Sequence, residues 1–201
     1  TDRFYPLTDG EGNIVHAHAG CSWKKGFLLD NGSRILYYDK TEKKLSPLCE
    51  LPDFRWANKL CLIDEQTLLV QNRSNSVIRI ALDKGEVDIT TFHTSFPSTD
   101  LLVDSLHQIW ISTAGDGLHC FSPDGTPLHH YTTANSGLND NHQQSLTQCK
   151  GHLLIGTRNG GLNILKLATG NIWQMKHVPG DGQFTVPGNN INRLYTDRYD
   201  N

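Results

Sequence analysis

The sequence repeats itself with a period of 41 to 44 residues. The segment 109–118 aligns without a gap on the segment 153–162, and both contain a Thr that precedes a Gly-Leu pair by four residues. Weaker copies of this pattern lie at 27–39 and 68–80. Equivalent anchor residues are separated by 41, 41 and 44 positions: Leu28, Leu69, Trp110 and Leu154. A repeat of this length restricts the chain to folds built from stacked units.

Each repeat contains four short runs of alternating or apolar residues, separated by turns rich in Gly, Asn, Asp and Pro. No long window keeps the 3.6-residue period of an amphipathic helix, so helical solenoids are excluded. Four strands in about 40–45 residues are typical of a β-propeller blade, a small twisted sheet that buries its faces only against neighbouring blades. We therefore predict an all-β fold made of propeller blades with four antiparallel strands each.

The repeat boundaries predict about four blades within one domain, 1–201, that is a fragment of a larger propeller. The approximate repeats are 13–56, 57–97, 98–138 and 139–189, and a further blade starts at 190–201. The chain ends where a fifth anchor would begin, which indicates a segment cut from a longer array. Because four blades do not close the usual ring, we expect a partial, open propeller whose exposed edges favour self-association.

Two glycine positions predict tight turns between the second and third strands of a blade. Gly117 precedes Leu118, and the pair Gly160-Gly161 precedes Leu162 at the equivalent place. Glycine is the residue that adopts positive φ without a steric penalty, as such turns require.

The composition is that of an ordinary globular domain and excludes several partners. The chain has 18 Lys and Arg against 21 Asp and Glu, a net charge of −3, which is too balanced for binding driven by nucleic-acid phosphates or by an anionic membrane surface. The longest apolar runs are far shorter than the roughly 20 residues of a membrane helix. The five cysteines form no C-x-x-C or zinc-ribbon spacing, so we expect buried, inert thiols.

The later repeats resemble a known family, the two-component regulator propeller repeat. The resemblance rests on Gly-Leu-Asn-Asp-Asn at 137–141, Gly-His-Leu-Leu-Ile-Gly-Thr at 151–157 and Gly-Gly-Leu-Asn-Ile-Leu at 160–165. A second copy matches at 104–113, and the first two repeats are inferred from register. Ser112, Gln71 and, in the first repeat, Asp30 stand where the family pattern has a glycine.

This resemblance implies a sensory function. Such repeats build the extracytoplasmic sensor regions of hybrid two-component histidine kinases, of the type known from gut Bacteroidetes. It implies a periplasmic segment of an inner-membrane regulator that senses oligosaccharides or another small ligand and is not catalytic. The kinase, the membrane span and the remaining blades would belong to the parent chain, and nucleic acid would not be bound by this segment.

The predicted ligand-binding residues lie in loops that a propeller places around its central channel. Loops between the second and third strands emerge on the same face as loops between blades. Amide, guanidinium and carboxylate groups there suit ligands dense in hydroxyls, although Asn and Asp are also ordinary turn residues. The candidates on this face are Arg73, Asn75, Asp116, Arg158, Asn159, Asp140 and Asn189.

Catalytic and metal-binding patterns are weak, and we predict no catalytic residues, no metal and no cofactor. No nucleophile elbow, zincin, Walker or dinucleotide motif is present. His16 and His18 would share one face of a strand, but no third ligand lies at a matching offset. His129 and His130 would point to opposite faces of a strand, which makes them a poorer pair.

Two other functions are compatible with the sequence. The blades could serve only as a protein–protein or dimerisation scaffold, which exposed apolar residues on blade edges would favour. A propeller lyase or glycosidase would instead require two carboxylates converging on the channel at roughly 5 to 10 Å.

Overall fold

The computed structural model describes residues 6–9, 11–51, 57–72, 74–180 and 186–197. These ranges contain sixteen strands and no helix, and the strands pair in chain order into four antiparallel sheets of four. The predicted all-β architecture of four-stranded propeller blades is confirmed. Within the same ranges, nothing has the length and hydrophobicity of a membrane-spanning helix.

The four sheets follow one another along the chain without exchanging strands. The first consists of β1 (Ala19–Trp23), β2 (Gly26–Asp30), β3 (Arg34–Asp39) and β4 (Lys44–Glu50). The second consists of β5 (Lys59–Leu62), β6 (Thr67–Gln71), β7 (Ser76–Ala81) and β8 (Glu86–His93). The third consists of β9 (Ser98–Val103), β10 (Ile109–Thr113), β11 (Leu118–Phe121) and β12 (Pro127–Tyr131). The fourth consists of β13 (Gln143–Cys149), β14 (His152–Thr157), β15 (Leu162–Lys166) and β16 (Ile172–Met175).

The described residues group into two compact units. The first unit holds the first sheet and most of the second. The second unit holds the third and fourth sheets, the segment that follows them, and the ends of β7 and β8 around residues 74–76 and 91–93.

The core of the first unit is made by the second and third strands of its sheets. Leu28 on β2, Ile35 on β3 and Leu68 on β6 are fully buried there. Trp23 packs edge-on against Tyr37, with ring centroids 5.1 Å apart. Its indole nitrogen donates to the carbonyl of Glu65 at 2.9 Å, so the buried ring keeps its hydrogen bond.

The core of the second unit centres on Trp110, which is 2% exposed. Every residue of β10, the second strand of its sheet, is buried. The Trp110 indole nitrogen donates to Asp104 Oδ2 at 2.8 Å. The second-strand anchors Leu28, Leu69 and Trp110 are buried, whereas Leu154 is only half-buried.

The predicted glycine turns are present in the third and fourth sheets. Gly117 and Gly161 have φ of 75° and 78°. In each turn a threonine at the end of the second strand bonds the glycine carbonyl: Thr113 Oγ1 donates to Gly117 O at 2.8 Å, and Thr157 Oγ1 donates to Gly161 O at 2.9 Å. The shared Thr and Gly of the sequence repeat therefore build the same turn twice.

Candidate functional site

A groove of about 560 Å³ lies in the second unit, where β9 and β13 begin. Residues that follow β10 and β14 form part of its wall, and the segment 186–197 forms another part. We call it the arginine groove after its two guanidinium groups. The lining residues are Pro97, Ser98, Thr99, Ala114, His142, Gln144, Arg158, Asn190, Asn192 and Arg193.

Backbone hydrogen bonds place equivalent residues of two sheets in this groove. The amide of Ala114 donates to the carbonyl of Pro97 at 3.0 Å, and the amide of Arg158 donates to the carbonyl of His142 at 3.0 Å. Ala114 and Arg158 also follow the repeat threonine at the same position in sequence. The third sheet therefore supplies a small side chain where the fourth supplies a guanidinium.

The segment 186–197 is fixed against the fourth sheet by polar contacts. The amide of Ile191 donates to the carbonyl of Thr157 at 2.9 Å. Further along, the hydroxyls of Thr147 and Thr196 lie 2.8 Å apart. The start of a further blade was predicted at 190–201; residues 190–197 form no strand, and residues 198–201 lie outside the described part of the chain.

Close packing around Gly156 holds the groove wall in place. A Cβ atom at this position would lie 2.7 Å from both the carbonyl oxygen and Cγ2 of Ile191, so only glycine allows the segment to approach β14. Beside it, Gln144 Nε2 donates to Asn190 Oδ1 at 2.9 Å. The side-chain amides of Gln144 and Asn190 therefore orient each other at the groove wall.

The arginine groove is polar and carries positive charge. Its lining contains no Asp or Glu. Within the described residues, neither Arg158 nor Arg193 forms an ion pair. Guanidinium groups donate to carboxylates, sulfates or sugar hydroxyls in a planar, two-pronged geometry. The groove can thus accept hydrogen-bonding ligands that are neutral or anionic.

Three of the predicted site residues come together at one edge of this groove. Arg158 lines it. The carboxylate of Asp140 accepts from the amide of Asn159 at 2.9 Å and from the amide of His142 at 2.8 Å. Asp140 therefore orders the loop that presents His142 and Arg158, and its own oxygens are occupied by the backbone.

Two other predicted residues, Asn189 and Asn75, are not among the residues that line the groove. Asn189 Oδ1 accepts from the amide of His177 at 2.8 Å, and its carbonyl accepts from Gly161 at 2.8 Å, which fixes the connection leading to Asn190. Asn75 Nδ2 donates to the carbonyl of Ser95 at 3.1 Å. Arg73 lies outside the described residues.

Asp116, also predicted on the ligand face, contacts two histidines. Its Oδ2 lies 3.1 Å from His119 Nε2, and its backbone carbonyl lies 2.7 Å from His130 Nε2. The two imidazole rings stack with centroids 4.1 Å apart. Burial lowers the pKa of His119, and the neighbouring His130 lowers it further, whereas the Asp116 carboxylate acts in the opposite direction. We call these three residues the histidine cluster.

Most residues of the groove lining were not among the predicted site residues. Thr99 and Gln144 lie on first strands, whereas the candidates were sought in turns. Asn192 and Arg193 belong to a segment that the repeat pattern assigned to a new blade. The aligned first-strand positions of successive repeats were the signal that could have found them.

No protein-family model matches the chain, and no curated protein matches it either. Solved structures do match. One is the extracellular domain of BT3049 from B. thetaiotaomicron, assigned to the hybrid two-component systems, with 18% identity and a TM-score of 0.68 over 97% of this chain and 26% of that one. Another is the extracellular domain of BT4673 from the same organism, with the same assignment, identity and TM-score over 92% and 25% of the two chains.

A designed protein shares the fold as well. The computationally designed Ika4 has 12% identity and a TM-score of 0.62, covering 82% of this chain and 99% of its own. The chain spans about a quarter of the length of the two bacterial domains. At these identities the likeness is one of fold, and that fold is the one of the extracellular two-component domains to which the sequence resemblance pointed.

Proposed function

We propose that this chain is a ligand-sensing propeller segment from the extracytoplasmic part of a membrane-bound two-component regulator, and that its ligand is an oligosaccharide. The fold it shares with the extracellular domains of BT3049 and BT4673 supports the sensory role. We infer the class of ligand from the size and the polar lining of the arginine groove. We propose a periplasmic location on the same grounds.

The size and chemistry of the groove suit a short oligosaccharide. Its volume of about 560 Å³ falls among those of small-molecule sites, which are about 300–1,000 Å³. Thr99, Gln144 and Asn192 supply hydroxyl and amide groups that both donate and accept, as sugar hydroxyls require. Since Arg158 and Arg193 add positive charge without a carboxylate in the lining, the groove favours sugars bearing a carboxylate or a sulfate.

Binding without catalysis is the role that this groove supports. Glycoside hydrolysis usually needs two carboxyl groups on either side of the scissile bond. Among the described residues, none of those lining the groove is Asp or Glu. Ligand binding would then act by favouring one arrangement of the parent protein's domains over another.

A calorimetric titration with a panel of neutral, carboxylated and sulfated oligosaccharides tests this proposal. We expect an acidic member of the panel to bind the chain, and Arg158→Ala and Arg193→Ala each to weaken binding about ten-fold or more, as loss of a charge-assisted hydrogen bond predicts. Lys166→Ala removes one exposed positive charge at the end of β15 and is the matched control. Equal affinities in all four proteins would contradict a site in the arginine groove.

A scaffold function is the second candidate, and exposed apolar residues on outer strands favour it. Ile89 on β8, Leu128 on β12 and Trp173 on β16 are 51%, 40% and 49% exposed. All three lie on the fourth strand of a sheet, an edge that can pair with another chain. In a scaffold function, these exposed side chains would contact a second copy of the chain or the remaining blades of the parent protein. Sedimentation of the chain across a concentration series distinguishes it from a monomeric sensor segment.

A further inference from the structure

The histidine cluster brings together three side chains that ligate transition metals. The ligand atoms of Asp116, His119 and His130 all lie within 4.8 Å of one another. We propose that these residues form a binding site for a divalent transition-metal ion such as Zn²⁺, and that the ion fastens the outer strand β12 to the rest of the third sheet. This site is separate from the arginine groove and does not depend on its function.

The strand register creates the cluster. His119 on β11 and His130 on β12 are direct cross-strand partners, so their side chains emerge on the same face of the sheet. Asp116 belongs to the turn that enters β11 and lies three residues before His119. This turn is fixed by the amide of Asp116, which donates to Thr113 Oγ1 at 2.9 Å. The backbone therefore holds all three ligands close together without an ion.

Partial burial leaves the cluster both desolvated and accessible. The side chains of His119 and Asp116 are 13% and 23% exposed, and that of His130 is 42% exposed. A cavity of about 330 Å³ opens beside them, and its lining includes two further histidines, His93 and His129. An ion can thus enter from this cavity, and a water molecule can occupy a remaining coordination position.

The ligand set selects the class of metal. Two imidazoles and one carboxylate, with an open position for water, are a typical environment for Zn²⁺. Imidazole nitrogen also suits Co²⁺, Ni²⁺ and Cu²⁺, whereas Mg²⁺ and Ca²⁺ prefer six or more oxygen ligands. We therefore expect the site to discriminate strongly against Mg²⁺ and Ca²⁺.

Binding requires a small local rearrangement. Without the ion, His130 Nε2–H donates to the carbonyl of Asp116 at 2.7 Å, and the imidazole rings of His119 and His130 are nearly parallel, at 15°. An ion held by both Nε2 atoms needs their lone pairs, and without the ion His119 Nε2–H also donates to Asp116 Oδ2. The Nε2 proton of each histidine therefore moves to Nδ1 or to solvent, and the rings rotate until both lone pairs converge. Neither change requires the strands to move, because the two histidines remain cross-strand partners.

The expected consequence of metal binding is a firmer edge strand. Among the described strands, β12 pairs only with β11, and four of its five residues are exposed. A metal bridge from β12 to β11 and to the preceding turn adds a cross-link that the folded state has and the unfolded chain lacks. Metal should therefore raise the melting temperature of the chain in a concentration-dependent way.

Calorimetric titration of the EDTA-treated chain with ZnCl₂ tests the proposal, with MgCl₂ and CaCl₂ as reference ions. We expect one equivalent of Zn²⁺ to bind and to raise the melting temperature, with no effect of the reference ions. His119→Ala, His130→Ala and Asp116→Asn should each reduce the affinity at least about ten-fold, since loss of even an outer-sphere partner has that effect. His152→Ala, a half-buried histidine of β14 outside the cluster, should bind like the unaltered chain.

A second measurement keeps the test decisive if one variant unfolds. Co²⁺ bound by two imidazoles and a carboxylate in a four-coordinate site gives intense visible absorption, which we expect in the unaltered chain and in His152→Ala. Imidazole ¹⁵N shifts should identify His119 and His130 as the ligands. The proposal is overturned if Zn²⁺ binds equally well to the three cluster variants, if the ¹⁵N shifts of other histidines change instead, or if no binding occurs at millimolar Zn²⁺.

Discussion

Replacing Gly117 with alanine tests the link between the sequence repeat and the blade turn. Gly117 has φ of 75°, and a Cβ there would lie 2.1 Å from the carbonyl oxygen of Tyr131 at the end of β12. Gly151 is a matched control, with φ of 76° and no atom within 4 Å of an added Cβ. Both substitutions place alanine in the left-handed region, whereas only the first also creates a backbone clash.

The two effects have different expected magnitudes. The left-handed conformation costs an L-residue about 1–2 kcal/mol, which is the whole expected effect of Gly151→Ala. In Gly117→Ala the strand end must also move, which adds about 1–3 kcal/mol of packing strain and weakens the pairing of Leu118 with Tyr131. We expect a total loss of about 2–5 kcal/mol in the free energy of unfolding.

Urea unfolding followed by tryptophan fluorescence measures both variants on the same scale. Gly117→Ala should lower the midpoint clearly more than Gly151→Ala, with similar slopes of free energy against urea. If the two variants lose the same stability within about 0.5 kcal/mol, the close approach of β12 to the turn does not constrain this position, and the reasoning fails.

Three further predictions concern buried or hydrogen-bonded groups. Trp110→Phe removes the hydrogen bond from the indole to Asp104 and should lower the free energy of unfolding by about 1–3 kcal/mol. A loss below about 0.5 kcal/mol in a urea titration would show that this bond does not contribute to stability. Burial, with a contribution from the charge of Asp104, raises the pKa of the Cys120 thiol to about 12. Alkylation at pH 8 followed by mass spectrometry should therefore leave Cys120 unmodified in the folded chain, and rapid modification would refute the assignment. The stabilising effect of the raised Cys120 pKa is present below pH 9 and disappears as the pH rises towards 12. Hydrogen bonds from the Ser122 hydroxyl and the Thr126 amide lower the pKa of Asp124 to about 2, so these bonds stabilise the fold above about pH 4 and are lost as the pH falls towards 2. An NMR titration should show the Asp124 midpoint near pH 2 and a higher midpoint in Ser122→Ala. An unchanged midpoint in this variant would count against the bond from Ser122.

The fold could be predicted because its determinants are local and repeated. The Thr-to-Gly spacing at 113–117 and 157–161 specifies the same turn, and apolar anchors such as Trp110 mark the inner strands. Each sheet pairs strands that are neighbours in sequence, so the order of strands along the chain is enough to predict their pairing. Repetition thus made the element order and the position of the core visible in a single sequence.

The site residues were harder to predict because they depend on how loops fold back. Arg158 was found because it follows a strand at a repeat position, whereas Arg193 reaches the groove through the path of the segment 186–197, which the repeat pattern does not encode. The pairing of His119 with His130 depends on the β11–β12 register, which shifts between Cys120 and Phe121. A shift of one residue would send either imidazole to the opposite face.

Chemical-shift mapping by NMR tests the central claim, that the arginine groove is the ligand site, most directly. When a carboxylated or sulfated oligosaccharide is titrated into the ¹⁵N-labelled chain, we predict shifts in the amides of Thr99, Gln144, Arg158 and Asn192, while the amides of the first sheet stay unchanged. Shifts confined to residues outside the groove, or no shifts with any member of the panel, would contradict the account.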